Sequence, residues 1–186
     1  TIQLGAGDIE VLLPLTAGDI LGTKPLELKQ DGVMVQLPSA LLKALRQLVP
    51  AEQAKDAVIS FKLEEVGSQT AASLVAKAAA AEKAKLKRGS KMYELDLNVH
   101  TKDGKAYKLE HFVAPATIAF PVDSAIHGEL AGIYHISESG PLKYAGGKPV
   151  NGQLTAEVSQ LSYYAVLEYD KSFADLAGHW AEQAVK

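Results

Sequence analysis

Cysteine is absent from this chain of 186 residues, and aromatic residues make up only 6% of it. Without cysteine the sequence excludes disulfides, zinc-thiolate centres and thiol nucleophiles. A chain of this length can still bury a core large enough for one stable domain. The lack of disulfides is therefore compatible with a secreted protein held together by its hydrophobic core.

A large excess of charge and a long apolar run are also missing. The 19 Lys and Arg residues and 22 Asp and Glu residues are mixed along the chain, and the formal net charge is -3. This balance provides no extended basic surface, so we expect no nucleic-acid partner. No apolar run approaches the roughly 20 residues that cross a bilayer, so we expect no membrane insertion. The first residues do not resemble a signal peptide, and we expect an internal piece of a longer protein.

Short segments of alternating apolar and polar residues, separated by turn residues, account for most of the chain. Residues 33–37 and 93–99 alternate in this way, and Asp103-Gly104 predicts a hairpin into residues 106–112. Gly146-Gly147 predicts a further turn. Many short strands with regular turns favour a mainly β fold, an antiparallel β-sandwich with one or two short helical inserts.

An internal repeat occupies the first 49 residues. The apolar residues and proline of one strand recur at a constant offset in a second strand: Leu4, Val11, Leu13 and Pro14 align with Leu28, Val35, Leu37 and Pro38. Each copy predicts a strand that ends at a proline. Two copies are too few for a solenoid, so we interpret them as a duplication inside one sheet domain.

Two segments favour helices instead of strands. Ser39 can cap a helix that presents an apolar stripe until Pro50 ends it. Residues 69–87 are rich in alanine and end in lysines, which predicts a helix that stops near Gly89. We interpret the basic end as a solvated last turn, and a contact with a polyanion is the alternative.

Neither a metal site nor a cofactor site is indicated by the spacing of the possible ligands. The histidines are scattered and form no metal-binding motif, and the aspartates do not follow the spacing of a calcium loop. The residues considered were His100, His111, His127, His135, Asp96, Asp103 and Asp123. We therefore predict no metal, no cofactor and no catalytic residues.

Tyrosines are the candidates for sugar binding, because an exposed aromatic ring can stack on the apolar face of a sugar. Tyr107, Tyr144 and Tyr163 are the predicted carbohydrate-binding residues. Tyr134 and Tyr164 lie inside apolar strand patterns, which favours a role in the core. Tyr163 and Tyr164 are adjacent in a strand and must point to opposite faces, so the main core can bury only one of them.

The C-terminal stretch 170–186 contains the only tryptophan. Its pattern resembles the opening of an S-layer homology repeat, and the matching residues are Phe173, Asp175, Gly178, His179, Trp180, Ala181, Ala184 and Val185. Such repeats anchor secreted bacterial proteins to cell-wall polysaccharide. The resemblance implies a surface module at 1–169, followed by a linker and the start of a repeat at 170–186. An ordinary C-terminal amphipathic helix is the alternative.

The order of elements also resembles the β-sandwich modules that precede S-layer homology repeats in large bacillus-type surface proteins. The segments that carry this resemblance are Ile133-Tyr134-His135, residues 143–147 and residues 161–166. It implies a secreted, non-catalytic spacer of a cell-wall-anchored protein, with wall polysaccharide bound through downstream repeats. The alternatives are a carbohydrate-binding module of a surface glycoside hydrolase and a relic of a self-cleaving sandwich domain. The oligomeric state is not indicated.

The self-cleaving alternative depends on Gln160-Leu161-Ser162. In self-cleaving sandwiches a histidine two residues before the serine takes the proton as the hydroxyl attacks the preceding carbonyl. Gln160 occupies that position, and a neutral amide cannot act as the base. We predict that intact-mass measurement will find the uncleaved chain of 19.8 kDa. Loss of residues 162–186 as a separate fragment would contradict this.

Overall fold

Thirteen β-strands form one hydrogen-bonded sheet in the computed structural model, which describes residues 1–7 and 9–171. The strands are β1 (Ile2–Gln3), β2 (Ile9–Pro14), β3 (Leu26–Gln30), β4 (Val33–Leu37), β5 (Val58–Glu65), β6 (Lys85–Arg88), β7 (Tyr93–His100), β8 (Ala106–Tyr107), β9 (Ala116–Pro121), β10 (Ala131–Ile136), β11 (Leu142–Val150), β12 (Gln153–Val158) and β13 (Tyr163–Asp170). The α-helices are α1 (Ala17–Leu21), α2 (Ser39–Gln47) and α3 (Ser68–Glu82), and Ala54–Asp56 and Gly128–Leu130 form single 3-10 turns. The prediction of a mainly β fold with short helical inserts is confirmed.

The sheet has the strand order β1-β3-β4-β9-β12-β11-β10-β13-β7-β5-β2, with β6 beside β13 and β8 beside β7. Only the β1 and β3 pair is parallel among the described strands; the other pairings are antiparallel. No helix of the described residues is long and apolar enough to cross a membrane.

The sheet curls so that its two halves share one core. Tyr93 of β7 and Phe120 of β9 are separated by four strands in the sheet order, yet their ring centroids are 5.8 Å apart. Phe61 of β5 and Leu28 of β3, which come from opposite halves, belong to the same buried cluster. Burying a large apolar side chain completely contributes about 1.5–3 kcal/mol, so this shared core holds the curl closed.

The internal repeat forms two strand-to-helix units that meet. The strand β2 ends at Pro14 and leads into α1, and β4 is followed by Pro38 and leads into α2. The two helices pack together at Gly18, which is buried. The predicted apolar stripe of α2 is buried, and its members include Leu41, Leu42 and Leu45. The repeat therefore places two short helices side by side on the sheet.

A second, smaller core lies on the outer face of the sheet, under α3. Leu74 of α3 packs with Ile136 of β10 and Leu167 of β13 in this cluster. Successive residues of a strand point to opposite faces. Tyr164 and Val166 of β13 therefore face the main core, whereas Leu167 faces the second core. The strand β13 is thus buried on both faces.

The helix predicted at residues 69–87 is wrong at its C-terminal end. The helix α3 ends at Glu82, and Lys83 adopts a left-handed conformation with a φ of 52°. The lysine-rich segment then forms β6, which pairs with β13 and packs Leu86 on the second core. Pairing with β13 and burial of Leu86 outweigh the local helix propensity.

Two turn predictions also need correction. Gly146-Gly147 is not a turn but lies inside β11, where the register with β10 and β12 shifts. Gly146 has a φ of 144°, so the glycine pair forms an irregularity that lets the strand continue. The hairpin at Asp103-Gly104 is present, but its second strand, β8, is only Ala106–Tyr107.

We predict that Gly18→Ala destabilises the protein by about 1–3 kcal/mol, because the added methyl group has no room. A Cβ at Gly18 would lie 2.8 Å from the Lys43 backbone nitrogen and 2.9 Å from the Ser39 carbonyl oxygen. Gly128→Ala is the matched control, since a Cβ there would meet nothing within 4 Å. Urea unfolding measures both variants. Equal stability of the two would contradict the close helix contact.

Candidate functional site

The outer face of β10, β11 and β13 carries several tyrosines beside the second core. Tyr134 of β10 pairs with Tyr144 of β11 on one side and with Ala165 of β13 on the other. Directly paired residues project to the same face of a sheet. Tyr134 and Tyr144 therefore share the outer face with Tyr163 and Tyr169, which lie at every second position of β13 in step with Ala165.

Tyr144 has the most exposed aromatic ring on this face. Its exposed fraction is 62%, and its ring meets the Tyr134 ring edge to face, with centroids 5.4 Å apart. The ring lies across Gly132, where an added Cβ would come within 2.6 Å of it. Its hydroxyl lies over Gly147, 3.3 Å from where a Cβ would stand. The Cδ2 and Cε2 atoms and the hydroxyl of Tyr144 thus lie close to glycine backbone, and most of the side chain is exposed.

Tyr169 and Glu82 complete this arrangement. The rings of Tyr169 and Tyr134 are stacked, with centroids 5.9 Å apart and planes 15° from parallel. The Tyr169 hydroxyl donates to Glu82 Oε2 at 3.3 Å, and Glu82 Oε1 accepts the Leu142 backbone N–H at 3.2 Å. Glu82, at the end of α3, therefore ties the helix to both β13 and β11. We call Tyr134, Tyr144, Tyr169, Gly132 and Gly147 the Tyr144 platform.

The phenols of Tyr134 and Tyr169 stay protonated in the physiological range. Burial raises the pKa of Tyr134, and the neighbouring Tyr144 and Tyr169 raise it further. Burial and the carboxylate of Glu82 raise the pKa of Tyr169. Protonated phenols can donate hydrogen bonds, so the platform combines apolar ring faces with polar edges.

The three tyrosines predicted to bind carbohydrate do not come together. Tyr107 pairs with Val99 and packs against the main core, and its hydroxyl donates to Gln53 Oε1 at 3.0 Å. Tyr163 shares the outer face with Tyr144, but it is half buried and its hydroxyl donates to Glu138 Oε1 at 3.3 Å. Of the three, Tyr144 alone presents a mostly exposed ring.

Sequence reasoning placed Tyr134 in the core and did not select Tyr169. Tyr134 is half buried against the second core, on the outer face, whereas Tyr164 is 2% exposed in the main core as predicted. A glycine inside a strand marks a place where another group approaches the backbone closely. Gly132, two residues before Tyr134, was the signal that could have identified the platform.

The segment Gln160-Leu161-Ser162 connects β12 to β13, and its carbonyl groups accept hydrogen bonds from β13 and β7. The Tyr164 hydroxyl donates to the Gln160 carbonyl at 2.8 Å, and the Leu95 N–H donates to the Ser162 carbonyl at 2.9 Å. A cleft of about 520 Å³ borders the segment, lined by Lys108, Leu109, Glu110, His111, Gln160 and Leu161. Ser162 is not among the lining residues, and the absence of self-cleavage stays a prediction.

A second cleft, also about 520 Å³, lies between the β6–β7 connection and the end of β9. Its walls carry charges of both signs, including Arg88, Asp31 and Asp123. Lys91 and Glu65 form an ion pair across 2.7 Å at its edge, and this contact raises the pKa of Lys91. The cleft thus has no dominant charge that would select an anion or a cation.

The histidines and aspartates lie in separate places. Within residues 1–7 and 9–171, no group of three or more His, Asp or Glu side chains is arranged to hold a metal ion. His127 Nδ1 lies 3.0 Å from Glu168 Oε1, and its hydrogen bonds lower the pKa of Glu168. The aspartates have local partners: Asp96 with Lys108, Asp103 with Thr101 and Asp123 with the Ala125 N–H.

Comparison with models of known protein families gives no match, and no curated protein matches the chain. The resemblance to S-layer homology repeats therefore stays a prediction from the sequence. Its residues Phe173, Asp175, His179 and Trp180 lie outside the described residues.

We predict that Tyr164→Phe makes the protein less sensitive to alkaline pH. Burial raises the pKa of Tyr164 to about 12, above the usual tyrosine value of about 10. Between these values the unfolded chain releases the proton and the folded chain keeps it, so stability is lost as pH rises. Thermal unfolding from pH 8 to 12 should show a smaller loss for Tyr164→Phe than for wild type. Tyr144→Phe is the control, and equal behaviour of the two variants would contradict the prediction.

Proposed function

We propose that the chain is a non-catalytic structural module of an exported, cell-wall-anchored bacterial protein, and that it acts as a spacer next to the anchor. The observation that carries the proposal is the position of β13, the last strand before the stretch that resembles an S-layer homology repeat. It pairs with β10 over six residues, Ala131–Ile136, and with β7 and β6 on its other edge.

The position of β13 in the sheet suits a strand that must resist a pulling force from the wall anchor. Both faces of β13 are buried, by Val166 in the main core and Leu167 in the second core. Extraction of the strand would break backbone hydrogen bonds on two edges and expose both cores together. A pull transmitted from residues beyond Asp170 therefore acts on a strand that is hydrogen-bonded on both edges and buried on both faces.

A carbohydrate-binding module is the second candidate function. The observation that favours it is the exposure of Tyr144, which is 62% exposed and lies close to the backbone of Gly132 and Gly147. Binding sites for sugars use such rings with polar groups at their edges.

The spacer function is tested by sedimentation with purified bacillus-type cell walls. We expect the chain alone to stay in the supernatant and the chain followed by complete S-layer homology repeats to sediment with the walls. Repeats fused to an unrelated domain in place of residues 1–169 are the control and should sediment equally. Saturable sedimentation of the chain alone, or loss of wall binding in the control, would contradict a spacer role.

A further inference from the structure

We propose that the Tyr144 platform is a stacking subsite for one pyranose ring of a neutral polysaccharide whose sugars have the gluco configuration. The inference rests on the second proposed function and assigns it to particular residues. Its basis is that Tyr144, Tyr134 and Tyr169 lie together on one face of the sheet, with Tyr144 close to Gly132 and Gly147.

Neighbouring groups orient the Tyr144 ring before any ligand arrives. Its Cδ2 and Cε2 atoms lie close to the Gly132 backbone and its hydroxyl lies close to Gly147, and Tyr134 meets the ring in a T-shaped contact with centroids 5.4 Å apart. Tyr134 is in turn stacked on Tyr169, whose hydroxyl is bonded to Glu82. A side chain held in this way loses little conformational entropy on binding, which favours affinity.

The chemistry of the platform matches a sugar ring. A pyranose with equatorial hydroxyls has C–H groups on its faces and hydroxyls around its edge, so it can stack on Tyr144 and bond to groups beside it. The hydroxyls of Tyr134 and Tyr144 form no hydrogen bond with the described residues. They are therefore free to bond with a sugar, while the carboxylate of Glu82 nearby disfavours an anionic polymer.

The size of the open surface also favours a small ring over a protein. An aromatic side chain has about 150–250 Å² of surface, and the 62% of Tyr144 that is exposed corresponds to roughly 100–150 Å². A stable protein interface needs about 800 Å² from each partner. One sugar ring covers the area that Tyr144 offers.

Gly132 is the positioning residue of the subsite. An added Cβ would lie 2.6 Å from Tyr144 Cε2 and 3.2 Å from Tyr134 Cε2, so any larger residue must displace these rings. The geometry predicts that Gly132→Ala weakens sugar binding although every tyrosine is still present. If Tyr144 contributed only an exposed polar group, Gly132→Ala would leave sugar binding unchanged.

The test is titration of the isotope-labelled chain with cellohexaose and with chitohexaose, followed by NMR and calorimetry. We expect saturable shifts at the backbone amides of Gly132, Tyr144 and Gly147. Tyr144→Ala should lower the affinity about tenfold or more, and Tyr144→Phe should keep most of it because the ring is retained. Gly132→Ala should lower the affinity as well. Val113→Ala, at a residue 72% exposed elsewhere, is the matched control and should change nothing.

The outcomes separate this inference from the proposed function. Wild-type binding that Tyr144→Ala leaves unchanged would overturn the subsite but keep the carbohydrate-binding function. No binding to either hexasaccharide or to purified wall polysaccharide would overturn both, and the spacer function would remain. A change in Trp180 fluorescence on Tyr144→Ala without sugar would mean that the chain's own C-terminal segment contacts the platform, which would also overturn the proposal.

Discussion

The burial of β13 on both faces, together with hydrogen bonding on both of its edges, is the constraint on which the rest of the structure depends. Its apolar run from Tyr163 to Leu167 cannot be exposed on either side without a large loss of hydrophobic free energy. The main core covers one face and α3 covers the other. The curl of the sheet and the position of the alanine-rich helix both follow from this strand.

Individual strands could be predicted from the sequence where apolar and polar residues alternate along a short segment. Alternation identified β4, β5 and β7, and Tyr164 was correctly assigned to the core. The sheet order could not be predicted, because the apolar and polar pattern within one strand does not indicate which distant strand it pairs with. The lysine-rich segment after Glu82 was predicted as helix for the same reason: its pairing with β13 is a long-range interaction that propensity does not register.

The sequence predicted the kind of residue in the candidate site, an exposed tyrosine, but not the set of residues that form it. An exposed tyrosine was expected, and Tyr144 is exposed, but Tyr107 and Tyr163 are engaged by Gln53 and Glu138. The rings that accompany Tyr144 come from β10, which forms a hairpin with β11, and from β13, which pairs with the other edge of β10 and is more distant in sequence. Only the register of three strands brings Tyr134, Tyr144 and Tyr169 to one face.

Gly132, Gly146 and Gly147 explain how one fold can contain both a firmly packed sheet and an exposed aromatic ring. A tyrosine on an ordinary strand extends over side chains of neighbouring strands and is partly covered by them. Because Gly132 has no side chain, the Tyr144 ring can approach the sheet backbone, and its hydroxyl lies beside Gly147, next to the irregularity in β11. The cost is local, since a glycine in a strand has more backbone entropy to lose on folding. Since Tyr169 belongs to β13 and stacks on Tyr134, the platform is attached to the same strand that the proposed spacer function would load. A ring supported in this way would keep its orientation while tension passes through the module.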